Sequence, residues 1–172
     1  MSSFSKSRIL AALHALADEL GRRNVKGELF IVGGAAMALA YSSRRSTRDV
    51  DAIFEPKSAI YEAARTVAEE EGLPEDWLND AVKGFAPGGD PDRRLIFSAP
   101  SLEVAVASPE YLLGMKLLAS RVDQDVDDIR TLYGMCGFTT AEEGMALMQR
   151  LYPTRPLPAK TRFLLEELFG QA

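Results

Sequence analysis

Two glycines and two aspartates carry the chemical information in this sequence. Gly33-Gly34 follows an apolar run, Glu28 to Val32, and precedes an alanine-rich stretch, Ala35 to Tyr41; Asp49 and Asp51 then flank Val50. A strand that turns through two glycines into a helix lets backbone approach a ligand, and the helix start offers unpaired N–H groups and a positive dipole end. That is a seat for phosphate. Aspartates two residues apart on a strand project to one face. A shared cation relieves their repulsion, and oxygen ligands of this density suit Mg²⁺ bridged to substrate phosphates, with Mn²⁺ as an alternative. A phosphate seat beside metal-binding carboxylates is equipment for moving a nucleotidyl group. The link between them, Ser42 to Arg48, is polar and basic. Arg44, Arg45 and Arg48 are either solvated loop cations or contacts for a triphosphate or an RNA acceptor.

Two other phosphate motifs fail. The segment Gly33-Gly34-Ala35-Ala36-Met37-Ala38 lacks the third glycine and spacing of a dinucleotide fingerprint, and Met37-Ala38 stands where a P-loop needs lysine and serine or threonine.

The elements that hold these residues can be read from periodicity. Ile9, Leu13, Leu16 and Leu20 form a helical stripe that starts near Ser5 or Ser7 and ends at Gly21. Glu28 to Val32 and Val50 to Phe54 are strands, with a helix from Ala35 to Tyr41 between them. Ile60, Ala63, Ala64 and Val67 mark a helix that ends at Gly72, and Pro74 to Val82 is expected as a shorter helix carrying Trp77 and Leu78. Phe85 to Arg93 is a loop. Leu95 to Phe97 and Leu102 to Ala107 are strands turned at Pro100-Ser101. Ser108-Pro109 starts a helix. Asp123 to Gly134 forms another, Thr140 with Glu143 caps a third, and a last one follows Pro158. The expected division is a core, residues 1–107, and a helical part, residues 108–172.

The chain has 172 residues, 47% hydrophobic and 26% charged, with net charge −5. That is long enough for a hydrophobic core without disulfides or a structural metal. One cysteine and one histidine, Cys136 and His14, exclude an intramolecular disulfide, a cysteine zinc cluster and multi-histidine metal sites. An acidic chain argues against an extended nucleic-acid scaffold, leaving a local encounter with RNA open. The longest uncharged stretch, Leu29 to Ser43, is too short to span a bilayer, and the N-terminus lacks the pattern of a signal peptide. A reducing, cytoplasmic setting is expected. Cys136, Met135, Met145 and Met148 are expected in the core. His14 is expected to be structural, and Trp77 packs in the core or offers a stacking platform for a base.

Gly33-Gly34, followed after a helix by Asp49-Val50-Asp51, resembles the signature of the nucleotidyltransferase superfamily with the DNA polymerase β-like palm. Within it the chain is most similar to small bacterial proteins grouped with AbiEii-type and MenT-type toxins, in particular the DUF6036 branch. The block Leu112 to Leu132, LLGMKLLASRVDQDVDDIRTL, supports this likeness. The resemblance implies an α+β fold: a mixed sheet flanked by helices, with a C-terminal helical part. It implies metal binding by Asp49 and Asp51, a triphosphate over Gly33 and Gly34, and a triphosphate contact from Lys116. A further carboxylate would come from Asp127 or Glu103.

The expected activity is Mg²⁺-dependent transfer of a nucleotidyl group from an NTP to an acceptor hydroxyl. By the resemblance this would be the toxin of a toxin–antitoxin pair, with tRNA as acceptor and a cognate antitoxin as partner. Two alternatives stand beside it: a weakly catalytic nucleotide-binding module acting as antitoxin, and transfer to a protein or to a small molecule.

Overall fold

The computed structural model describes residues 3–41, 46–119 and 121–170. In chain order the elements are α1 (Lys6–Arg22), β1 (Gly27–Ile31), α2 (Gly33–Ala36), β2 (Val50–Glu55), α3 (Lys57–Glu71), β3 (Leu78–Asn79), β4 (Arg94–Ala99), β5 (Leu102–Val106), α4 (Pro109–Ala119), α5 (Val122–Met135), α6 (Ala141–Leu151) and α7 (Ala159–Phe169). They belong to two compact units. One comprises residues 1–84 and 92–107; the other comprises residues 85–91 and 108–172.

The first unit is built on a five-stranded mixed sheet in the order β3-β2-β1-β5-β4. β1 runs antiparallel to β2 and parallel to β5, β2 is parallel to β3, and β4 with β5 forms a hairpin. Alternation sorts the strands cleanly. Leu29 and Ile31 of β1 and Val50, Ala52 and Phe54 of β2 are buried, whereas Glu28 and Glu55 are exposed. The covering helices are α1 and α3. A Cβ on Gly27 would meet Ile60 at 3.0 Å and Leu20 at 3.2 Å, so both helices press on that end of β1. Ser5 caps α1 by accepting from the Arg8 N–H, and Gly72 ends α3 at φ +65°.

Pro74 to Val82 does not form the expected helix. Trp77 and Leu78 are both buried, and Leu78 with Asn79 is extended. Leu78 pairs in parallel with Val50, the Val50 N–H donates to the Trp77 carbonyl at 2.6 Å, and a 3₁₀ turn follows at Ala81–Gly84. Tertiary pairing with β2 overrides the local helical preference. The Trp77 ring is fully buried, stacks on Phe4 and donates its Nε1–H to the Ala64 carbonyl at 2.9 Å. It is a core residue and presents no platform for a base.

The second unit is helical. Ser108 Oγ accepts from the Tyr111 N–H at 3.3 Å, and Thr140 and Glu143 form the expected capping box. A Cβ on Gly144 would stand 2.2 Å from the Tyr133 hydroxyl and 2.9 Å from Leu165, so glycine alone permits that approach. Thr161 is buried and donates to the Leu117 carbonyl at 2.8 Å. Met148 is core, Cys136 and Met145 are half-buried, and Met135 is exposed, contrary to expectation, as the last residue of α5. Phe163, on α7, is also exposed. Among the described residues no helix is long and apolar enough to cross a membrane.

Candidate functional site

The glycine turn and Asp51 meet in the first unit. Gly33 has φ +63°, a backbone conformation that side chains with a Cβ rarely adopt. A Cβ built there would stand 3.4 Å from Asp51 Oδ2 and 3.9 Å from Asp51 Cβ. The turn therefore packs directly on the carboxylate. Its position is fixed by the sheet: the Val32 N–H donates to the Asp51 carbonyl at 2.9 Å. α2 begins at Gly33, and from Met37 to Tyr41 it continues as a π turn. Local π geometry inside a helix often accompanies functional sites.

Asp49 lies one residue before β2 and Asp51 within it, and both are half-buried. The approach to Asp49 is tied down. The Phe4 N–H donates to the Thr47 carbonyl at 2.7 Å, the Thr47 N–H donates back at 3.0 Å, and Thr47 Oγ1 donates to the Asp49 carbonyl at 3.1 Å. Asn79 is the β3 partner of Asp51 and donates its Nδ2–H to Asp49 Oδ2 at 3.2 Å. Sequence reasoning did not single out Asn79. Its residue type gives no signal when the segment is read as a helix; the strand pairing supplies one.

Glu103 does not join this site. It pairs with Glu28, which in turn pairs with Glu55. Glu55 is four residues along β2 from Asp51, a separation of about 13 Å at the rise of a strand. Nearer the aspartates β5 carries Ala105, and just past its end Ala107 donates its N–H to the Ile31 carbonyl. Arg48 is exposed, and Arg44 and Arg45 lie outside the described residues.

The remaining candidates lie in the second unit. Lys116 is 7% exposed, so it is not a lysine snorkelling to solvent. Its Nζ lies 3.0 Å from Asp125 Oδ1 and 2.9 Å from Asp128 Oδ2. Arg121 Nε stands 3.3 Å from Asp125 Oδ2, an ion pair without hydrogen-bond geometry. Asp127 is exposed on α5, while Asp125 and Asp128 are buried. The acidic start of α5 thus has two faces. Its inward face neutralises a lysine, where the helix dipole alone would have explained the acids at the sequence level.

The donor set can be tested against a divalent cation. Among the described residues no group of three or more His, Cys, Asp or Glu side chains is disposed to hold a metal. The residues nonetheless fit Mg²⁺ delivered with a nucleotide. Such ions use one or two carboxylates and take their other ligands from phosphate and water; Asp51 packs on the Gly33 turn, and Asp49 stands two residues before it.

A family model described as "Nucleotidyltransferase of unknown function (DUF6036)" matches residues 8–139. No curated protein matches the chain. Among solved structures it is similar to an antigenic nucleotidyltransferase-like protein from Paracoccidioides brasiliensis, at 16% identity and a TM-score of 0.49 over 99% of this chain and 100% of that one. At that score the likeness carries no argument of its own.

Proposed function

We propose, for a chain that belongs to the DUF6036 family of nucleotidyltransferases of unknown function, transfer of a nucleotidyl group from an NTP to an acceptor hydroxyl with release of pyrophosphate. One observation carries the reading: the positive-φ turn at Gly33 packs on the Asp51 carboxylate. That contact joins a backbone seat for polyphosphate to a cation-binding acid.

Asp49 and Asp51 would hold the divalent cation, which supplies charge neutralisation on the nucleotide phosphates when bound. The Gly33-Gly34 backbone would carry the triphosphate, since glycine adds no side chain of its own there. The acceptor oxygen would bond to the α-phosphorus as the bond from that phosphorus to the pyrophosphate oxygen breaks, with the hydroxyl proton passing to a base. Asp127, which the resemblance offers for the base or the further metal ligand, is exposed and accessible to protons. Lys116, which the resemblance assigns to the triphosphate, enters as a cation already shared between two buried aspartates.

The acceptor class we favour is tRNA, in the setting of a toxin–antitoxin pair. The likeness to AbiEii-type and MenT-type toxins supports it, together with the basic residues Arg44, Arg45 and Arg48 that precede the aspartates. A weakly catalytic nucleotide-binding module is the second reading, and the alanines in β5 and just past its end, Ala105 and Ala107, favour it.

The deciding experiment incubates the protein with α-labelled NTPs, Mg²⁺ and a cell extract, then fractionates RNA, protein and small solutes. Label in tRNA that Asp49→Asn and Asp51→Asn abolish supports the first reading. Label in protein or small solutes moves the acceptor class. Nucleotide binding without transfer to any fraction establishes the second reading.

A further inference from the structure

Asn79 is held in one orientation by two contacts. Its Oδ1 accepts from the Ala81 N–H at 3.3 Å, at the start of the 3₁₀ turn, and its Nδ2 therefore faces Asp49 Oδ2 at 3.2 Å. The backbone donor decides which end of the amide is which, because a reversed amide would set N–H against N–H at Ala81 and oxygen against oxygen at Asp49. Asn79 is also the cross-strand partner of Asp51. The amide thus bonds Asp49, while the strand register sets residue 79 opposite Asp51.

Asp49 needs such a partner. It precedes β2 and lacks the strand ladder that fixes Asp51. A carboxylate on a bend rotates unless a donor holds one of its oxygens, and a donor on one oxygen directs the other toward a cation. A third acid, at position 79, would add like charge beside two aspartates. An amide supplies the hydrogen bond without that cost.

On the reading given above, we infer that Asn79 is a positioning residue for the divalent cation: it orients Asp49 so that Asp49 and Asp51 bind the ion together. Partners of metal ligands typically change affinity by about 10- to 100-fold when removed. The test is direct Mn²⁺ binding by electron paramagnetic resonance, with saturating non-hydrolysable NTP, alongside thermal melting. Asn79→Ala should weaken Mn²⁺ binding by about 10-fold. Asn79→Ser keeps a short donor and should recover part of the loss, and the melting temperatures of the variants separate lost cation binding from lost stability. If Asn79→Ala binds Mn²⁺ within twofold of the wild type, the positioning role is overturned and the cation site stands. If the wild type binds no Mn²⁺ that Asp49→Asn and Asp51→Asn remove, the cation site falls and the positioning role falls with it.

Discussion

Lys116 Nζ lies 2.9 Å from Asp128 Oδ2, and the same ammonium lies 3.0 Å from Asp125 Oδ1. One buried cation thus balances two buried acids, with Arg121 adding charge from the solvent side of Asp125. Removing one partner of a buried ion pair costs about 3–5 kcal/mol because the other charge is left uncompensated. Lys116→Met should destabilise the second unit by that order in chemical denaturation. Lys116→Met combined with Asp125→Asn and Asp128→Asn should recover most of it. If the single variant melts like the wild type, the triad contributes nothing, and a loss of transfer would then report on substrate alone.

Trp77 links the core to the site. Its carbonyl holds Val50, the residue between the two aspartates, and its indole fixes α3 through Ala64. Trp77→Ala should cost about 3–5 kcal/mol, and Trp77→Phe less, because it keeps the ring but loses the bond to Ala64. Urea unfolding measures both. The β3 pairing that sets Asn79 opposite Asp51 depends on the same segment, so Trp77→Ala should also weaken cation binding. Retention of full Mn²⁺ affinity by a destabilised Trp77→Ala protein would show that β3 is held independently.

The sequence signals that succeeded were local ones. Ser5, Gly72, Ser108 and the Thr140–Glu143 box mark helix ends through bonds made within a few residues, and they occur as expected. The glycine turn and the Asp49–Asp51 spacing were legible for the same reason. What was not legible depended on partners distant in sequence. Trp77-Leu78 became extended because Val50, far upstream, offered a strand edge. Glu103 looked available until the register set it beside Glu28 and Glu55, away from Asp51. Asp125 and Asp128 turned inward because Lys116, on the preceding helix, needed counterions.

Burial, and secondarily the charge of Glu110, push the Cys136 thiol up to about 11. The sign follows from which state holds its proton. An ordinary cysteine ionises near about 8.5, so between that value and the native one the unfolded chain loses the proton while the native protein keeps it. Cys136 therefore contributes stability below pH 8.5 that declines as pH rises toward about 11. Thiolate is the nucleophile. Alkylation of the native protein by iodoacetamide should be slow at pH 8 and still rising beyond pH 10, whereas the urea-unfolded protein should level off near pH 9–10. A native profile that levels off with the unfolded one would place the thiol in solvent.

Gly33→Ala tests the contact on which the functional reading turns. Two effects combine there. Alanine at φ +63° is strained, by about 1–2 kcal/mol for a residue with a Cβ. Its methyl would also stand 3.4 Å from Asp51 Oδ2, where it occupies the approach to that carboxylate. Gly72→Ala is the matched control, since Gly72 has φ +65° and a Cβ there meets nothing within 4 Å. Both variants should lose similar stability, because the backbone strain is shared. Gly33→Ala alone should weaken binding of Mn²⁺ with a non-hydrolysable NTP, by tenfold or more, which corresponds to about 1.4 kcal/mol. Calorimetric titration of the two variants beside the wild type separates strain from obstruction. Equal nucleotide affinity in all three would mean that the turn at Gly33 does not carry the triphosphate.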